Sequence, residues 1–145
     1  MRKLFSIALL TVSILFLNQA STAAAFDNFK EALRVFESSI KFEAQSDSWK
    51  RQRASWLATL RNARSGQMLT GKLLLQLETS IKYSMQSDSW RSIRPGWIAG
   101  IKSTRMVREL VPYILQLEQL AKWQAHYPWW KQKRNQWRAT VRAIR

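Results

Sequence analysis

Arginine and tryptophan recur at fixed distances in this chain. Trp49-x3-Arg53-x2-Trp56 returns as Trp90, Arg94, Trp97 and again as Trp130, Arg134, Trp137. A guanidinium is a planar fork of donors that matches phosphate and carboxylate bidentately. An indole face stacks on bases, sugar rings or cations. The pattern reads functionally as an anion clamp beside aromatic platforms, and structurally as arginine stems lying over packed rings. At about 100° per residue, Lys50, Arg53, Arg61 and Arg64 share one edge of a helix. The second copy places Arg91, Arg94, Lys102 and Arg105 on that edge. The third places Lys131, Arg134, Arg142 and Arg145 there, with Arg138 added. These are the candidate anion-binding residues.

The tryptophans divide by regularity. Trp49, Trp56, Trp90, Trp97 and Trp137 keep heptad spacing in line with apolar residues such as Leu60, which predicts a packed core. Trp123, Trp129 and Trp130 are less regular and are candidates for exposure. Trp129 and Trp130 are consecutive, so on a helix they point about 100° apart.

Catalytic constellations are scarce. With no cysteine there is no thiolate nucleophile, disulfide framework or lipoprotein anchor, and the single histidine, His126, excludes multi-histidine metal sites. His126 stands where the other copies have Gln45 and Gln86, the place of a helix-end residue. Asp47 and Asp88 invite a reading as a glycosidase pair, but the third copy has Pro128 there and helix capping explains both. No glycine-rich phosphate loop and no acidic metal cluster is present. The expectation is a protein that is not an enzyme and uses no cofactor and no metal.

The elements that must position these residues repeat with them. Glu37-x3-Lys41 returns as Glu78-x3-Lys82 and Glu118-x3-Lys122, with offsets of 41 and then 40 residues. Each copy predicts two helices. In the first copy, Phe26, Phe29, Leu33, Phe36 and Ile40 form an amphipathic seam. Asn28 with Glu31 suggests a capping box, and Glu37 with Lys41 an i,i+4 pair. Ser46 and Ser87 predict caps for the second helices, with Pro128 at the matching first-turn site of the third copy. Ser65-Gly66 and Val111-Pro112 read as breaks between copies. In the middle copy Pro95-Gly96 either kinks or delays the helix, or, with Gly100, lets a neighbour approach closely. The fold class is therefore all-α: three tandem helix hairpins of about 40 residues (copies near 28–65, 69–106 and 110–145) in a short α-solenoid or a six-helix bundle.

Ahead of this domain, Met1-Arg2-Lys3, the apolar run Leu4 to Leu17 and Ala23-Ala24-Ala25 have the plan of a secretory signal peptide. Residues 1–25 are read as that signal and residues 26–145 as a single domain, exported to the periplasm or secreted. The chain carries a net charge of +15, and the cations and acids after residue 25 leave +13 there. That excess predicts an anionic partner: nucleic acid, anionic lipid headgroups or acidic envelope polysaccharide, bound through aligned basic stripes. The alternative is a structural or protein-interaction module docking an acidic partner or another copy of itself. A third reading uses Trp and Arg as anchors in a membrane interface, against which the first helices are patterned for packing.

Overall fold

The apolar seam beginning near Ala25 winds residues 23–39 into the first helix, α1. The computed structural model describes residues 23–64 and 69–145. Among these, five further helices follow: α2 (Asp47–Asn62), α3 (Thr70–Glu78), α4 (Asp88–Ser103), α5 (Val111–Gln116) and α6 (Trp130–Arg142). Corresponding 3-10 turns lie before α2, α4 and α6, at Phe42–Ala44, Tyr83–Met85 and Trp123–Ala125, and two further 3-10 segments, Val107–Leu110 and Leu117–Gln119, flank α5. The described residues are all-α, with no strand beyond three isolated bridges. The expected signal peptide lies almost wholly outside the described residues. Its last residues, Ala23 to Ala25, fall within α1, where Ala25 is buried. The expected break at Ser65-Gly66 also lies outside them.

Local chemistry sets the helix starts. The Ser46 hydroxyl accepts from the Trp49 N–H at 3.2 Å and Ser87 from Trp90 at 3.3 Å, satisfying donors that the first turn leaves open. The third copy departs from expectation. It has no serine to cap it, and α6 begins at Trp130, two residues beyond Pro128. Asn28 is no cap either. It lies inside α1, and its amide donates to the Ala143 carbonyl at 3.3 Å. Pro112 does not separate copies but sits in the first turn of α5, where its missing N–H costs nothing. Pro95 does not delay α4, which begins at Asp88 and runs through it. Gly100 supplies the close approach: a Cβ there would collide with the Tyr113 phenol on α5, whereas one at Gly96 would meet nothing.

Contacts between the turns run in a circuit. The Lys82 N–H donates to the Ala44 carbonyl (2.9 Å), Lys122 to Met85 (2.9 Å) and Lys41 to Ala125 (2.8 Å), so the last turn returns to the first. The bridges Gln45–Ile81, Gln86–Ala121 and Ile40–His126 follow the same order. Indole donors repeat it in the core. Trp56 Nε1 donates to the Leu73 carbonyl (3.1 Å), Trp97 to Tyr113 (2.9 Å) and Trp137, across 105 residues, to Ala32 (2.9 Å). An open solenoid would leave its terminal hairpins without such partners. A closed six-helix arrangement covers both.

The core holds six of the eight tryptophans in edge-on pairs. Ring centroids lie 5.2 Å apart for Trp49–Trp56, 4.9 Å for Trp90–Trp97 and 5.3 Å for Trp130–Trp137, the tilted geometry that the ring quadrupole favours. Trp130, expected among the exposed aromatics, is 1% exposed. It opens α6 on the same inward side as Trp137 and Val141, and it stacks flat on His126 at 5.3 Å. Trp129 takes the outward direction and is 37% exposed.

Candidate anion-binding face

The repeated glutamates come first, because they decide what the repeated arginines are free to do. Glu37 and Glu78 are buried at 1% and 4% exposure. Each carboxylate accepts from an indole and an arginine on the following helix. Trp49 Nε1 and Arg53 Nε reach Glu37 Oε1 at 3.2 and 2.5 Å, and Arg53 Nη2 reaches Oε2 at 2.9 Å. Trp90 and Arg94 repeat this on Glu78 at 3.2, 2.6 and 3.2 Å. A carboxylate removed from water needs such a complete set of donors. Hydrogen bonds to the carboxylates hold the Arg53 and Arg94 guanidiniums above the ordinary arginine range, against the opposing effect of burial.

In the third copy Arg134 pairs with Glu118, and Arg138 takes Oε1 at 2.6 Å. The other copies have Leu57 and Ile98 where Arg138 stands. With Oε1 occupied by arginine, Trp130 Nε1 is buried with no partner among the described residues.

Four of the thirteen candidate cations are therefore corrected. Arg53, Arg94, Arg134 and Arg138 point their forks at buried carboxylates of the same chain, and an external anion would have to compete with those. The expected Glu-x3-Lys pairs give way to these longer-range pairs. The remaining candidates do not merge into one stripe. Because the turn contacts close on themselves, the basic edges of α2, α4 and α6 are distributed between the two ends of these helices. Arg61, Lys102 and Arg142 are exposed near the C-terminal ends, followed by Arg64, Arg105 and Arg145.

Lys50, Arg91 and Lys131 sit at the other end, and here a second pattern emerges. Lys50 Nζ lies 4.2 Å from the centroid of the Phe42 ring, the Arg91 guanidinium 4.1 Å from Tyr83, and Lys131 Nζ 5.5 Å from Trp123. The rings open the three 3-10 turns and are 60%, 70% and 46% exposed. Each turn hydrogen-bonds to both others, so the three cation-covered rings surround one end of the molecule. Lys41, Lys82 and Lys122 immediately precede the rings, and the Lys122 ammonium donates to the Ser84 carbonyl of the neighbouring turn at 2.8 Å. Asp47 and Asp88 lie 3.9 and 3.6 Å from Lys50 and Arg91 and are almost fully exposed; such pairs add little stability, and each carboxylate offsets one cation. Pro128 removes even that acid beside Lys131. Sequence reading named Trp123 as a candidate for exposure but not Phe42 or Tyr83, whose signal was the aromatic class that all three share one residue after each repeated lysine.

His126 belongs to the packed interior. It is buried between Phe36 and Trp130, and the ring contacts are 5.7 and 5.3 Å. Its Nδ1 lies 2.9 Å from Ser39 Oγ, whose own proton goes to the Phe36 carbonyl at 2.6 Å, so the ring nitrogen is the donor. Burial, aided by the positive charge of Arg134, pushes its pKa down to about 4. No group of acids and histidines able to hold a metal occurs among the described residues. Two shallow grooves flank Trp56 and Trp137, with volumes near 140 and 230 Å3.

A basic six-helix protein with a cation–aromatic end is the class these features define. Residues 23–90 are similar to a family described as a domain of unknown function (DUF8799), a match running from the start of α1 into the first turn of α4. No curated protein and no solved structure matches the chain.

Proposed function

We propose that this chain is an exported, non-enzymatic helical repeat protein whose three hairpins close into a ring, and that it binds an anionic polymer or surface. One observation carries the reading: the same cation-over-ring pair occurs three times, on three turns that hydrogen-bond to one another. Stacking a cation on an exposed ring holds its charge at the surface beside an aromatic face, and six lysines and arginines gather there around the aromatic turns. Binding to a polyanion would release counterions and weaken steeply with salt.

Charge reversal separates this reading from generic basicity. Lys50→Glu, Arg91→Glu and Lys131→Glu together are compared with Arg61→Glu, Lys102→Glu and Arg142→Glu, which carry the same charge change at the opposite ends of the same helices. Retention on a polyanion column at about 0.15 M salt falls for the first set and persists for the second. Equal loss from both sets, or no retention of the parent protein, would refute the assignment.

A further inference from the structure

Resting on that reading, we propose that the partner is the surface of an anionic lipid bilayer, met by the turn end with the three rings at headgroup level. The exposed apolar side chains are distributed unevenly. Among the described residues, Phe42, Tyr83, Trp123, Tyr127 and Trp129 lie in or beside the turns, and only Leu69 and Met106 are elsewhere. Both ends of the helices are basic, so charge alone does not choose an end. The rings do.

The arrangement suits a plane better than a strand. A linear polymer follows a track of cations and stacking faces, whereas here the pairs surround a closed circuit of turns. A bilayer surface is laterally uniform and accepts several equivalent points at once. The ring chemistry agrees. Phe42 offers no hydrogen bond, Tyr83 a hydroxyl and Trp123 an N–H, so a partner read by directional hydrogen bonds would meet three different sites. A partner that rewards an aromatic body beside a cation meets the same site three times. No helix among the described residues is long and apolar enough to cross a membrane.

The chain has no cysteine, so single-cysteine variants of the full-length protein carry one spin label each. Ser84→Cys and Gln124→Cys report from the turns and Ser103→Cys from the far end of α4; all three residues are exposed. With vesicles of equal parts phosphatidylglycerol and phosphatidylcholine, the turn labels become accessible to lipid-borne relaxants and the Ser103→Cys label stays in water. This readout also separates docking by the turns from any affinity of the apolar N-terminal segment, which would leave the turn labels in water. Replacing Phe42, Tyr83 and Trp123 with serine lowers vesicle partitioning about tenfold. Reversing Lys50, Arg91 and Lys131 lowers it about 100-fold or more, at about fivefold for each cation lost. Turn labels that stay in water, or immersion of the Ser103→Cys label instead, would overturn the inference. If a single-stranded oligonucleotide binds and immobilises the turn labels while vesicles do not, the occupant is a nucleic acid: the inference fails and the anion-binding reading stands. If neither ligand binds, both fail.

Discussion

Replacing Arg53 with methionine tests the claim that the repeated arginines are internal counter-ions. Glu37 is 1% exposed and keeps only the Trp49 indole once the guanidinium is gone. Removing one partner of a buried pair costs about 3–5 kcal/mol. The Arg53 side chain is itself 42% exposed, so water already screens part of the interaction. We therefore expect the lower end of that range, about 3 kcal/mol, or a fall in Tm of about 10 °C for a domain of this size. Denaturant unfolding followed by circular dichroism gives the number directly. Two companions sharpen it. Glu37→Gln added to Arg53→Met removes the orphaned charge while leaving an acceptor for Trp49, and recovers most of the loss. Arg134→Met costs only about 1 kcal/mol, because Arg138 still answers Glu118. A double variant no more stable than Arg53→Met, or an Arg134→Met as damaging as Arg53→Met, would refute the reasoning.

Three other perturbations have defined outcomes. Between pH 6.5 and about 4 the unfolded chain binds a proton at His126 that the folded chain refuses. Its stabilising contribution is therefore complete above pH 6.5 and lost as pH falls, by up to about 3 kcal/mol; His126→Gln, the residue found at positions 45 and 86, flattens that part of the stability–pH curve. Gly100→Ala crowds Tyr113 and destabilises by about 1–3 kcal/mol, whereas Gly96→Ala, facing open space, stabilises by about 0.5–1 kcal/mol; thermal melts of the two should move in opposite directions. Trp137→Phe removes the donor to Ala32 that joins α6 to α1, and should cost about as much as Trp56→Phe at the α2–α3 contact, on the order of 1–2 kcal/mol each, by chemical denaturation. A markedly smaller effect at Trp137 would mean that the circuit is not closed in solution.

Features confined to one helix were legible in advance. The seam through Phe29, Leu33 and Phe36, the caps at Ser46 and Ser87 and the core placement of Trp49, Trp56, Trp90, Trp97 and Trp137 all follow from spacing along a single element. The misreadings have separate origins. The Glu37–Lys41 pair assumes a helix that continues through residue 41, but α1 ends at residue 39 and Lys41 is extended, while a second helix brings Trp49 and Arg53 to the carboxylate. The stripe of Arg53, Arg94 and Arg134 has the correct period, but period does not say whether a side chain ends in water or on a buried acid. Asn28 was misassigned as a cap because α1 already includes residues 23–27. Trp130 was misassigned although it stands at the repeat position of Trp49 and Trp90, seven residues before Trp137, and that spacing already places it in the core.

By itself the amino-acid order determined that the chain is helical, which residues share a face and which residue types return every 40 or 41 positions, since each is fixed by backbone periodicity within a short segment. Tertiary structure alone decided that the final turn comes back to the first, that the glutamates are buried with the arginines as their partners, and that three aromatic rings gather under cations at one end. Those outcomes depend on where separate helices sit relative to one another, and that is settled by joint burial and by the need of every buried polar group for a partner.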